Sequence, residues 1–145
     1  MSTTTQLAQR DLVRMLRGVE STPSGNLSLS ELFSLQQAEI LKQLSPTGQV
    51  TDLLTLADTV GIPISLIEHL PVRGIAFPAK DGWHIHISES LAPTTQLRVA
   101  LHELKHIIDH PLRAMGDGGP AGFSDADYEH LADFFADCVL ADHEP

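Results

Sequence analysis

The chain has a single cysteine, Cys138, in 145 residues. One thiol can form no internal disulfide and supply no Cys-based zinc site, so a reducing interior is its natural setting. Aromatic residues are scarce at 5%, which leaves the core to Leu, Ile, Val and Ala. Cations are outnumbered: 9 Lys and Arg stand against 19 Asp and Glu, a formal net charge of −10. Phosphate contacts need a basic patch, so direct nucleic-acid binding is not expected. No apolar run approaches membrane-spanning length, and the N-terminus lacks the apolar core and cleavage site of a secretory signal. Residues 1–19, with Arg10, Arg14 and Arg17, fit an amphipathic helix better than a transit peptide. A cytoplasmic location is the expectation. At 42% hydrophobic, the chain can bury a real core, and its length suits one compact domain.

What is present falls into helical and strand-like stretches. Leu7, Leu12, Val13, Leu16 and Val19 are helix-spaced, and residues 21–26 break the chain. A second helix, capped by Ser28 or Ser30, would hold Leu32, Leu35, Ile40, Leu41 and Leu44 before Ser45-Pro46-Thr47-Gly48 stops it. A third, from Thr51 to Thr59, uses Leu53, Leu54, Leu56 and Ala57, with Gly61 at the C′ position. Gly74–Phe77 and Trp83–Ile87 then flank Lys80-Asp81-Gly82, a hairpin-turn signal. Trp83, Ile85 and Ile87 share one strand face, and His84 and His86 the other. Two helices close the chain. The first runs from about Pro93 to Asp109 and ends before Pro111; the second runs from the N-cap Ser124 to about Ala141.

The first of these closing helices carries His102-Glu103-Leu104-Lys105-His106. Histidines four apart project from one helix face, so two imidazoles can reach one zinc, and Glu103 beside them can take a proton from zinc-bound water. Leu97, Leu101, Leu104 and Ile108 form an apolar stripe nearly opposite the histidines. Catalytic zinc wants three protein ligands. Asp109 and His110 are close, but Pro111 ends the helix there. Glu129 is the better candidate, because Leu131, Phe134, Phe135 and Cys138 are apolar on one side of the last helix and Glu129 and Asp133 lie opposite. Glu129 would be the ligand and Asp133 the acceptor behind a ligand histidine. The Trp83–Ile87 strand is the candidate for pairing with an extended substrate. His84, His86 and Tyr128 are candidate transition-state or substrate contacts.

These segments resemble the ImmA/IrrE family of bacterial and phage metallopeptidases. Val99–His106 is similar to the family's "xxAHELGH" helix, and Glu129–Ala136 to its "ExxANxFAxxLL" helix. Leu56–Pro63, a hairpin and Trp83–Ile87 follow in the family's order. The resemblance covers about residues 50–141 and leaves the first 45 without a counterpart. It implies an α+β, zincin-like domain with N-terminal helices, a small antiparallel sheet or hairpin, an HExxH helix and a C-terminal helix bearing the third ligand. Residues 1–49 would be a helical region serving as scaffold or partner-docking arm, and residues 50–145 the peptidase core. His102, His106 and Glu129 would bind Zn2+, Glu103 would be the general base, and Asp133 would stand beside a ligand. The implied substrate is a helix-turn-helix transcriptional repressor whose cleavage switches on mobile-element or stress genes. The alternative is a zinc-binding regulator that acts on a repressor by binding alone. Two departures stand out: Lys105 replaces a small Gly, with an expected effect on access or substrate preference, and Val139-Leu140-Ala141-Asp142 replaces the family's "LLMP".

Overall fold

The structure, a computed structural model, describes residues 12–20, 26–113 and 123–141. Leu7 and the Gly-rich loop before Phe123 lie outside the described residues. Residues 12–18 are helical (α1). They are followed by α2 (Leu27–Leu44), α3 (Leu53–Val60), β1 (Ile64–Ile67), β2 (Gly74–Ala79), β3 (Gly82–Ser88), α4 (Pro93–Arg113) and α5 (Asp125–Leu140). The class is α+β. Leu12 and Leu16 of α1, Leu41 of α2, Ile85 of β3, Leu101 and Leu104 of α4 and Phe135 of α5 belong to one buried cluster. This cluster draws on residues both before and after position 50.

The caps explain most helix starts. Asn26 accepts from Leu29 N at 2.9 Å and begins α2, so neither Ser28 nor Ser30 is the cap. Asp52 accepts from Thr55 N and begins α3, and Gly61 ends it in the left-handed region, φ 70°. Ser124 and Asp127 form a reciprocal capping box on α5, where each side chain satisfies the other's backbone N–H.

Three expectations are corrected. The apolar pattern of α2 does not set its buried face: Leu32, Leu35 and Leu44 are exposed, whereas Ser30, Ser34, Gln37, Ala38 and Leu41 are buried. Hydrogen bonds make that polar face tolerable. Ser34 Oγ donates to Ser30 O at 2.8 Å, and Gln37 Nε2 donates to Leu16 O at 2.8 Å. In α3, Leu54 is likewise exposed.

The second correction concerns the sheet. The hairpin forms with Phe77 opposite His84 and Ala79 opposite Gly82, but β1 adds in parallel on the other side of β3, with Ile64 opposite Ile85. The sheet is mixed, in the order β1-β3-β2. Strand β3 is therefore central, with both sides paired, and the open edge beside it is β2. Ile85 N donates to Pro63 O of the chain entering β1, and Ser88 N donates to Arg73 O. The alternation of an antiparallel ladder then turns the backbone groups of Gly74, Ala76 and Pro78 outward. Gly74 lets this edge approach α4, because a Cβ there would meet Val99 Cγ1 at 2.5 Å.

The third correction is the end of α4. The helix does not stop before Pro111 but continues through it to Arg113. Proline removes the N–H that would serve the Ile107 carbonyl. Arg17 of α1 replaces it, donating from Nη2 to Ile107 O at 2.7 Å and from Nε to Ile108 O at 3.0 Å.

Candidate metal centre

Leu101, Leu104 and Ile108 are buried on one side of α4, which turns His102 and His106 toward α5. The imidazoles are mostly covered, with 18% and 13% of their surface exposed. Glu129 of α5 spans both. Its Oε2 lies 2.8 Å from His102 Nε2, its Oε1 lies 3.1 Å from His106 Nε2, and the two Nε2 atoms are 3.1 Å apart. These three donors, from two helices, all lie within 4.8 Å of one another. Two imidazoles and one carboxylate make the donor set of a three-ligand zinc site.

Asp133, one turn beyond Glu129, pairs with His102 Nδ1 at 2.7 Å. A carboxylate accepts, so Nδ1 donates to Asp133, and Nε2 is the nitrogen turned to the cluster, as in an oriented ligand histidine. His106 is held differently. Arg113 Nη1 lies 3.0 Å from its Nδ1, and a guanidinium can only donate. Nδ1 therefore accepts, and Nε2 carries the proton toward Glu129. A metal held at His106 Nε2 would need the proton on Nδ1 instead, and Arg113 would then have to leave that nitrogen.

The electrostatics follow from burial and neighbours. Burial pushes the Glu103 carboxyl up; Glu129 adds to this, while His102, the Ala76 N–H and Arg113 oppose it. Burial pushes the His106 imidazole down, against the pull of Glu129. For Glu129, burial alone would raise the carboxyl, but the two histidines and their hydrogen bonds outweigh it and hold it low. Glu103 and His106 line a cleft of about 300 Å³ with Ala76, Pro78, Trp83, His110 and Arg113. A larger cavity, about 540 Å³, lies at the other end of α4, and none of the candidate residues lines it.

Other expected residues fall elsewhere. His84 and His86 alternate with the core residues Ile85 and Ile87 and stand on the sheet face away from α4. His84 pairs with Asp81 at 2.7 Å, and His86 packs edge-on against Phe77. Tyr128 is buried against Phe123 and under Arg113; burial and then the charges of Asp109 and Glu20 raise its pKa. Neither the two histidines nor Tyr128 joins the cluster. Lys105, expected to alter access, is fully buried on the flank facing α1 and α2, paired with Asp109 at 2.8 Å and donating to Gln37 Oε1 at 2.9 Å. Asp109 is thereby committed to the interior, and His110 packs edge-on against Trp83. The sequence reading missed Arg113. Its spacing of seven from His106 puts it on the same helix face, a signal hidden by the assumption that Pro111 ends the helix.

Among known proteins, no family model, no curated protein and no solved structure matches this chain.

Proposed function

We propose that the chain is a zinc-dependent metallo-endopeptidase of zincin-like architecture, with His102, His106 and Glu129 as metal ligands. The observation that carries this reading is the convergence of both histidines on a carboxylate from a separate helix, with Asp133 behind His102. Zinc held there would supply Lewis acidity, polarising a scissile carbonyl and acidifying a water. Glu103, in the cleft beside the cluster and with a raised pKa, suits the role of taking a proton and passing it to the leaving amine. The open edge of β2 borders the same cleft, so an extended substrate would pair there rather than with the central strand β3.

The likeness of the two helices to the ImmA/IrrE pattern points to a helix-turn-helix repressor as substrate, in the cytoplasm. The acidic chain would touch the repressor protein and not its DNA. Co-expression with the repressor encoded beside its gene tests this. Wild type should cleave the repressor, and Glu103→Gln should leave it intact while keeping its zinc. Intact repressor in both would count against peptidase activity. Relief of repression by Glu103→Gln without cleavage would favour regulation by binding alone.

A further inference from the structure

Arg17 has no counterpart in the family pattern, yet it makes two hydrogen bonds to α4, some ninety residues away. Pro111 interrupts α4 two residues before Arg113, the side chain that reaches back to His106. An interior proline leaves the carbonyl four residues earlier without its amide donor and pushes it aside. That carbonyl belongs to Ile107, and Arg17 Nη2 donates to it at 2.7 Å while Nε takes the next one, Ile108 O. Two donors in a fixed fork suit two successive carbonyls.

Arg17 is itself held. It lies with Glu20, Gln37, Asp109, Pro111 and Leu112 around a cavity of about 160 Å³. Gln37 ties the carbonyl of Leu16, one residue before Arg17, to the buried Lys105 of α4. Helix α1 and α4 are thus joined at two adjacent points, through Arg17 itself and through Gln37 beside it.

We infer that Arg17 is a positioning residue of the candidate metal centre: it splices α4 across Pro111, and the spliced turn holds Arg113 against His106 and Glu129. Through Arg113, α1 therefore bears on the metal-free arrangement of His106. This rests on the proposed metal site only in that Arg113 borders it, and the test uses metal-free protein, so neither zinc binding nor cleavage enters the readout.

The decisive experiment is a double-mutant comparison of Arg17→Met, Pro111→Ala and the two combined. Alanine at 111 restores the amide donor for Ile107 O and makes Arg17 dispensable. The readouts are the His106 imidazole 15N shifts at one neutral pH and amide exchange at Leu112 and Arg113. Arg17→Met should move Nδ1 to the position of an unbonded acceptor and speed exchange by at least roughly tenfold; adding Pro111→Ala should restore both. An unchanged His106 signal in Arg17→Met, or a change that Pro111→Ala does not reverse, would overturn the inference. If Arg17→Met alone does not fold, the double variant must fold with the wild-type His106 signal, and its failure to do so counts equally against it.

Discussion

Helix α4 carries two polar pairs at the same i, i+4 spacing, His102–His106 and Lys105–Asp109, and they serve opposite ends. The lysine pair lies about 60° around the helix from the histidine pair, against α1 and α2. Its side chains are 0% and 5% exposed, and Asp109 Oδ2 has no hydrogen-bond partner among the described residues. The histidine pair faces α5, His106 borders the cleft, and the pair's partners, Glu129 and Arg113, are half-exposed and one-third exposed. Spacing alone says only that two side chains share a face. The element packed against that face decides whether they form fixed internal architecture or exchangeable chemistry.

The contrast can be broken most forcefully at Lys105. Removing one member of a buried pair strands the other charge, so Lys105→Ala should cost about 3–5 kcal/mol in denaturant unfolding. Lys105→Met combined with Asp109→Leu should recover most of this, because no charge is left unpaired. Recovery smaller than half would mean that the pair holds the fold in some further way. On the histidine side, His102→Ala should change metal-free stability by about 1 kcal/mol or less while abolishing stoichiometric zinc. A stability loss matching that of Lys105→Ala would erase the distinction. The smallest effect is expected at Arg113. Its charge opposes a metal cation and occupies His106 Nδ1, so Arg113→Gln should tighten zinc binding by roughly fivefold, about 1 kcal/mol. Weaker binding would instead make Arg113 a supporter of the loaded site.

The grouping of the candidate site's residues was legible without coordinates, because helical periodicity is local. His102, His106, Glu129 and Asp133 needed only the turn of two helices, and the Ser124 cap fixed where the second begins. What could not be read depended on distant partners. Pro111 reads as a stop until Arg17, some ninety residues away, supplies the missing donors. Lys105 reads as a residue of the cleft until Gln37 and Asp109 draw it into the core. Strand β3 reads as an edge until the four residues of β1, too short to show alternation, pair along its far side. In α2, leucine spacing predicts the wrong buried face because a serine and glutamine network took the interior instead. In each case tertiary hydrogen bonding overrode a sound local preference.

The convergence of α4 and α5 on one metal is tested most directly by zinc titration of metal-free protein, wild type beside Glu129→Ala. Wild type should bind one zinc per chain, and Glu129→Ala should bind it at least roughly a hundredfold more weakly, since even an orienting partner of a ligand costs ten- to a hundredfold. Zinc that fails to bind wild type stoichiometrically, or that binds Glu129→Ala equally well, would contradict a centre built from both helices.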